Sequence, residues 1–169
     1  MFVKLTDADG TTHGATRWDE GVRHSAAPGK LELCTPTCIH FYEDELLAAL
    51  MNPAHGNFKD PLAFRFEPEG KVVSDGTRSG CRAGTTMERV SIPIVSRNQR
   101  IRFAILCALE VYEERGFVEW ANGWLSGKDR TTKSAYDAAY AAYDAAYAQK
   151  SGKRIDFINL AHRAVSEEA

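Results

Sequence analysis

Hydrophobic positions follow two different patterns along the chain. Up to about residue 95 they come in short runs, such as Leu62–Phe66 and Met87–Val95, separated by Gly, Pro and Asp. Such runs predict β-strands joined by turns. From Ser96 onward the apolar residues recur at helical spacing. The chain therefore predicts an α+β fold, in which an antiparallel β-rich half (residues 1–95) packs against a bundle of about four helices (residues 96–169) as a single domain.

The turns divide the β-rich half into expected elements. Phe2–Leu5 and Thr11–Trp18 flank the turn sequence Asp7–Gly10, which indicates an opening hairpin. Asp19–Lys30 is polar and rich in small residues, so it predicts a loop. Further strands are expected over Leu31–Leu33, Cys38–Tyr42 and Val72–Val73, and a helix is expected over Glu43–Met51, ended by Asn52-Pro53.

The helical half opens with a capping-box signature, because Gln99 follows Ser96 by three residues. The apolar residues that come next surround almost the whole helix, which is typical of a buried, central helix. The predicted helices are Ile101–Tyr112, ended by Gly116, then Phe117–Leu125, ended by Gly127, then Thr132–Gln149 and Ile155–Ser166.

The predicted third helix carries a stripe of tyrosines in an alanine-rich background. Two copies of a seven-residue unit begin at Tyr136 and Tyr143, so Tyr136, Tyr140, Tyr143 and Tyr147 lie within an arc of roughly 60°. Two readings are open. The stripe is a partner interface, including self-association as a homodimer, or it packs inside the domain onto the helix that carries Trp120 and Trp124.

Composition and charge narrow the functional classes. The hydrophobic fraction of 44% and the charged fraction of 26% are typical of a globular chain. With a net charge of −2, broad nucleic-acid binding is not expected. The longest apolar stretch, Phe103–Leu109, is too short to cross a bilayer, so no membrane association is expected. Residues 1–10 lack a secretory-signal pattern, which predicts a cytoplasmic setting and reduced cysteines.

One candidate site is a metal centre at Cys34, Cys38 and His40. Thiolates and imidazole are the donors that zinc prefers, and Cys81 or His24 is available as a fourth ligand. The spacing matches no paired motif of standard length. The alternative is a pair of buried, reduced cysteines on adjacent strands beside a hydrogen-bonded histidine.

A second candidate site is the glycine-rich segment Gly76–Thr86, expected to be a loop. Exposed backbone N–H groups, hydroxyls and fixed positive charge suit an anion or a nucleotide phosphate. The residues predicted to bind are Arg78, Gly80, Arg82 and Thr85, together with His40. The segment matches neither a Walker loop nor a dinucleotide fingerprint, and the alternative is a solvated turn. No catalytic set or cofactor can be assigned.

Several segments together resemble one protein family. They are Gly21–His24, Glu32–Cys34, Ile39–His40, Leu46–Ala48, Asn52–His55, Arg102–Tyr112 and Trp124–Arg130. They look like parts of an uncharacterised family of small bacteriophage- and prophage-encoded proteins that also end in Ala-rich helices. The resemblance implies the cytoplasm of a bacterial host and brings no known activity. Cys38 departs from the family pattern, which weakens the metal hypothesis.

A looser similarity concerns layout. Ile39–Tyr42, a short helix and then Phe64–Glu67 are similar in order to small ADP-ribosyltransferase-like domains. Those domains place an early Arg or His, a mid-chain Ser, Thr or Tyr and a late Glu around NAD. That set cannot be matched here residue by residue, and a shared layout does not transfer function.

Two functional hypotheses follow. The leading one is a non-enzymatic, phage-type accessory protein that binds a host protein or protein complex, for example an anti-CRISPR-like inhibitor of a bacterial defence system, through the tyrosine stripe or Glu43–Glu45. The alternative is a small nucleotide-binding or ADP-ribosyltransferase-like enzyme. It would hold phosphate at Gly76–Thr86 and place His40, Tyr42 or Glu67 near the chemistry.

Overall fold

A computed structural model describes residues 1–128, 130 and 154–166 of the chain. The chain divides into two compact units, Met1–Ile94 and Val95–Ala169. The division falls one residue before the change in hydrophobic pattern at residue 95. The first unit is built on antiparallel strands and the described part of the second is helical, which confirms the α+β class.

The first unit contains a five-stranded antiparallel sheet and a separate short ribbon. Along the sheet the order is β1-β6-β7-β4, and β5 also pairs with β7. The ribbon is formed by β2 and β3. The strands are β1 (Val3–Thr6), β2 (Thr11–Thr12), β3 (Thr16–Arg17), β4 (Arg23–Ser25), β5 (Ile39–Phe41), β6 (Leu62–Ser74) and β7 (Ser79–Val90).

A single backbone pair joins the two ends of this arrangement. Val3 and Tyr42 exchange two N–H···O bonds of 2.8 Å each. Because β1 pairs with β6, β6 with β7 and β7 with β5, this pair brings the end of β5 back to β1. The pairings of β1, β6, β7 and β5 therefore form a continuous circuit.

The core beneath the sheet is an aromatic cluster. The rings of Phe41 and Phe66 lie 5.1 Å apart between centroids, and Trp18 packs edge-on against Phe66 at 6.1 Å. Ile39 and Phe41 alternate with His40 along β5, so these two side chains face the core and His40 faces the other way. Burying a side chain of this size stabilises the fold by about 1.5–3 kcal/mol.

Three sequence-based expectations for this unit are wrong. The turn at Asp7–Gly10 forms, but β1 pairs with β6 and the short β2 pairs with β3, so no hairpin joins β1 to the following strand. The polar stretch predicted as a loop contains β4, an edge strand that needs few apolar residues. Leu31–Leu33 forms no strand and runs into turns.

The longest strands were predicted as fragments. β6 and β7 form one long hairpin, whereas the sequence indicated three short strands. Gly70, at φ +73°, lies in a register shift between Glu69 and Val72, where a bulge bends the strand without ending it. Exposed polar positions in this part of β6 hid its continuity from the hydrophobic pattern.

Helix α1 runs from Glu45 to His55. The Asp44 carboxylate accepts a hydrogen bond of 2.8 Å from the Leu47 N–H, which is an N-cap. Pro53 lies inside the helix, so the expected end at Asn52-Pro53 is wrong. The helix can continue through Pro53 because the φ angle of proline is compatible with a helix. The Asn52 side chain also bonds both backbone groups of Phe58, which fixes the chain after the last turn.

The described part of the second unit contains α2 (Arg97–Leu109), α3 (Arg115–Leu125) and α4 (Phe157–Ser166). Ser96 and Gln99 form the expected capping box. Ile105, Ala121 and Trp124 form the buried cluster between α2 and α3. The predicted third helix, Thr132–Gln149, lies outside the described residues.

The predicted boundaries of these helices were partly correct. Gly127, at φ +80°, follows the end of α3 as expected. Gly116 does not end α2; it lies in the first turn of α3, where its N–H donates to the Glu114 cap. No helix in the described ranges combines the length and apolar character needed to cross a membrane.

Gly84 tests the packing between β6 and β7. A Cβ at this position would lie 2.3 Å from Cζ of Phe66 and 2.8 Å from the Glu67 carbonyl oxygen. We expect Gly84→Ala to lower the free energy of unfolding by about 1–3 kcal/mol, because the backbone carbonyl cannot move aside. Gly123→Ala is the control. It has no neighbour within 4 Å and should stabilise α3 by about 0.5–1 kcal/mol. Equal effects in urea denaturation would contradict this packing.

Candidate functional site

The first unit contains a cavity of about 670 Å³. Its walls come from parts of the chain that are far apart in sequence: β1, the β2–β3 turn, β4, the segment before β5, the end of α1 and the β6–β7 turn. We call it the histidine pocket. The lining residues used below are Lys4, His13, Trp18, His24, Cys34, His40, Tyr42, His55, Phe58 and Arg78.

The charge of the pocket is one-sided. Lys4 and Arg78 supply two cations, and four histidines line the same space. Among the described residues that line it, none is Asp or Glu, although the whole chain has 23 of them and a net charge of −2. The concentration of cationic and neutral nitrogen groups is therefore a property of this site and not of the composition.

His40 is held at the centre of one wall. Its ring Nε2 accepts a hydrogen bond of 2.9 Å from the Cys34 N–H. Burial and, after it, the charges of Arg78 and Lys4 together lower the pKa of His40 to about 4. The ring is neutral at physiological pH. A neutral imidazole that accepts through Nε2 carries its proton on Nδ1.

Tyr42 and His55 form a second polar pair. The Tyr42 hydroxyl and His55 Nδ1 share a hydrogen bond of 3.1 Å, and the two rings stack at 5.9 Å between centroids. Burial raises the pKa of Tyr42 and lowers that of His55 to about 4, with Arg78 as a second cause for His55. Both side chains are therefore neutral. The C-terminal end of α1 would favour a charged His55, but desolvation outweighs that effect.

Arg78 is placed by a tight turn between β6 and β7. The Asp75 carboxylate accepts hydrogen bonds from the N–H groups of Thr77 and Arg78 and from the Thr77 hydroxyl. The guanidinium then reaches Cys34, where Nη2 lies 2.7 Å from Sγ. Its Nε is buried and makes no hydrogen bond to any described residue; the nearest carboxylate oxygen, on Asp75, is 3.6 Å away. Arg78 therefore keeps unused donor capacity.

Lys4 lies on the buried strand β1, and the residue is 7% exposed. Its Nζ donates to the His40 carbonyl at 2.8 Å and lies 5.1 Å from the centre of the Trp18 ring. Burial lowers the pKa of Lys4 to about 8. The Trp18 ring also packs edge-on against His24 at 4.5 Å.

The predicted metal centre is not formed. In the described part of the chain no three His, Cys, Asp or Glu side chains come together as a metal-binding group. His40 Nε2 is occupied by the Cys34 N–H, and the Cys34 thiol contacts Arg78. Cys38 is buried, and Cys81 belongs to the core, where its thiol donates to the Ala83 carbonyl. The alternative, a pair of buried, reduced cysteines on adjacent strands, is met only in part, because Cys34 is exposed and lies in a turn.

The predicted glycine-rich loop is also absent, because most of it is strand β7. Gly80 pairs with His40 across the ladder, and Thr85 pairs with Glu67 and Arg23. Arg82 donates to two backbone carbonyls, those of Ala27 and Gly29. Of the five residues predicted to bind an anion, the structure brings Arg78 and His40 into the pocket; Gly80, Arg82 and Thr85 do not line it.

Two further predicted contacts, Glu43–Glu45 and Glu67, do not line the pocket. Tyr136, Tyr140, Tyr143 and Tyr147 lie outside the described residues, so the partner-interface hypothesis stays a prediction. In Glu43–Glu45, Asp44 caps α1 and Glu43 accepts a hydrogen bond from the buried Ser79 hydroxyl. Glu67 is exposed and paired with Arg65, away from the pocket.

Sequence reasoning missed Lys4 as a pocket residue, and it did not select His55. The signal for Lys4 was a lysine inside the short apolar strand Val3–Thr6, where a charge is costly. His55 carried no comparable signal, because its position depends on α1 continuing through Pro53.

Comparisons with known proteins add no further identification. No family model, curated protein or solved structure matches this chain.

The two neutral imidazoles make the first unit sensitive to acid. Unfolded histidines take up protons near pH 6.5, whereas His40 and His55 do so only near pH 4. Between these values the unfolded chain binds more protons, so stability falls as pH falls. We expect the free energy of unfolding to fall by about 1–2 kcal/mol per histidine between pH 7 and pH 5. The lower end of this range allows for the partial exposure of the two rings.

Urea denaturation at the two pH values measures this loss, and NMR titration of the imidazole resonances measures the two pKa values directly. The variants His40→Gln and His55→Gln assign the resonances. Midpoints near the ordinary value for both rings would contradict the buried, neutral state described here.

Proposed function

We propose that the first unit binds a phosphorylated small molecule of the nucleotide class in the histidine pocket. The observation that carries this proposal is the absence of any Asp or Glu among the described lining residues, where Lys4 and Arg78 are both present. Both cations are largely shielded from water. Arg78 pairs with Asp75, which does not line the pocket, at 3.6 Å, whereas Lys4 forms no ion pair with a described carboxylate. A bound anion supplies the counter-charge that Lys4 lacks.

The donors suit a phosphate group. Arg78 has an unused, buried Nε–H, and a guanidinium presents its donors in a planar fork that matches phosphate oxygens. His40 carries its one ring proton on Nδ1, because Nε2 accepts from the Cys34 N–H. The imidazole therefore adds a neutral hydrogen-bond donor. In partly buried surroundings, two unit charges 4 Å apart attract by about 4 kcal/mol before desolvation is subtracted.

The rest of the pocket suits an aromatic ring. A volume of about 670 Å³ falls in the range of small-molecule sites. Trp18, Tyr42 and Phe58 contribute ring surface, and His13 lies 6.2 Å from Phe58 between ring centroids. A heterocyclic base attached to a phosphate uses both kinds of surface at once.

This support is for binding and does not extend to group transfer. An ADP-ribosyltransferase-like site needs a carboxylate beside the ligand, and Glu67 pairs with Arg65 outside the pocket. The hypothesis of a phage-type accessory protein that binds a host protein or complex, anti-CRISPR-like or otherwise, stays a prediction. A nucleotide pocket is compatible with it.

Ligand binding can be tested by thermal shift and isothermal titration calorimetry with NAD, ADP and inorganic phosphate. At a ligand concentration of 100 Kd the folded state gains about 2.7 kcal/mol, which raises the melting temperature by several degrees. We expect Arg78→Gln to weaken binding by roughly 10- to 100-fold, because it removes a charged hydrogen bond. Binding should also weaken with added salt.

Arg65→Gln is the matched control. Arg65 is also an arginine of the same unit, but its guanidinium pairs with Glu67 and Glu88 and does not line the pocket. This variant should bind as the wild type does. The proposal fails if no ligand shifts the wild type at millimolar concentration, or if Arg65→Gln and Arg78→Gln lose binding equally.

A further inference from the structure

Lys4 has an unusual environment for a buried lysine. It is 7% exposed, yet its ammonium contacts one carbonyl oxygen, on His40, and the face of one ring, on Trp18. No carboxylate of the described residues forms an ion pair with it. An ammonium has three donors, so this arrangement uses its hydrogen-bonding capacity only in part.

The thiols near Lys4 do not neutralise its charge. Burial raises the pKa of Cys81 to about 11 and also raises that of Cys38, so both stay protonated at physiological pH. Arg78, a second cation, lines the same pocket. Desolvation of a lysine in a largely apolar surrounding favours the neutral, nucleophilic amine. Burial lowers the pKa of Lys4 to about 8, in agreement with this geometry.

The surroundings also hold this amine in a fixed place. The His40 carbonyl accepts from Nζ at 2.8 Å, and that carbonyl belongs to β5, which the Val3–Tyr42 pair joins to β1. Trp18 covers one side with an apolar surface. Lys4 is also one of the residues that line a cavity large enough for a small molecule.

We propose that Lys4 is a carbonyl-reactive amine, which forms a reversible imine with an aldehyde-bearing, phosphorylated ligand in the histidine pocket. The phosphate part of this inference rests on the proposed function. The amine part does not, since it depends only on Lys4 and its neighbours.

The reaction balances without a further reactant. The neutral Nζ lone pair attacks the carbonyl carbon, and the C=O π electrons move to oxygen, which takes one proton from the attacking nitrogen. The resulting carbinolamine loses its hydroxyl together with the second nitrogen proton as water while the C=N bond forms. The sum is one amine plus one aldehyde giving one imine plus one water, and hydrolysis reverses it. No oxidation or reduction takes place.

The inference can be tested with two matched probes, pyridoxal 5′-phosphate and pyridoxal, added to the full chain at neutral pH. Cyanoborohydride then supplies a hydride that, with a proton, reduces each imine to a stable secondary amine. Peptide mapping by mass spectrometry locates the adducts. The exposed Lys30, Lys59 and Lys71 serve as controls in the same molecule, so the comparison does not depend on a variant that folds.

We expect at least about tenfold more adduct on Lys4 than on any exposed lysine, because each unit of lowered pKa gives about tenfold more free amine. The pH profile gives a second readout. Labelling of Lys4 should level off above about pH 8, whereas labelling of ordinary lysines should keep rising toward pH 10.5. Lys4→Met should abolish the preferred adduct, and Lys71→Met should leave it unchanged.

The two probes separate this inference from the proposed function. Stronger labelling of Lys4 by pyridoxal 5′-phosphate than by pyridoxal, with the difference lost in Arg78→Gln, supports both. Equal labelling of Lys4 by the two probes supports the amine and counts against phosphate binding. Binding of pyridoxal 5′-phosphate without a Lys4 adduct overturns the imine and leaves the proposed function standing. Adducts confined to Lys30, Lys59 and Lys71 also overturn it.

Discussion

The two hydrogen bonds between Val3 and Tyr42 bring three groups of the histidine pocket together. They join β1 to the end of β5, and the hydrogen bond from the Lys4 ammonium to the His40 carbonyl reinforces this link. Lys4 follows Val3, and His40 precedes Tyr42 by two residues, so this one backbone pair sets the amine, the imidazole and the phenol beside each other. The pairing that joins β1 to the end of β5 therefore also forms this part of the pocket.

Desolvation then gives these groups their chemical character. Burial is the largest cause of the lowered pKa of Lys4, His40 and His55 and of the raised pKa of Tyr42. In each case the neutral form is favoured. Arg78 reinforces the effect on both imidazoles, and Lys4 reinforces it on His40. A pocket whose described lining holds cations but no carboxylate is costly for the folded protein. Such a cost is typical of functional sites, where groups that destabilise the free protein interact favourably with a bound ligand.

The sequence predicted the fold class and the helices well, because those features depend on local patterns. The capping box at Ser96 and Gln99 and the buried cluster of α2 and α3 are examples. Arg78 and His40 were predicted to bind an anion together with a glycine-rich loop. Both line the pocket, but that segment is mostly strand β7. The glycines at positions 80 and 84 serve packing instead: Gly80 faces Cys38 and Gly84 faces Phe66.

What local patterns could not reveal is long-range pairing. A residue's place in the pocket depends on register between strands that lie up to about sixty positions apart, such as Val3 opposite Arg65. Lys4 lies in a short strand predicted from the sequence, and His55 lies beyond the predicted end of the first helix. Both became site residues only through contacts with distant parts of the chain.

The pairing of β1 with β6 has a consequence for how the protein is made. The first strand leaves the ribosome well before its partner at Leu62–Arg65, because synthesis adds only about 5–20 residues per second. For several seconds the nascent chain therefore carries β1 without its partner strand, and an unpaired strand is the kind of segment that associates with other chains. Ribosome-bound chains arrested before β6 should expose this strand to a protease, and chains arrested well beyond β7 should protect it. β1 can therefore pair in full only after β6 has been synthesised.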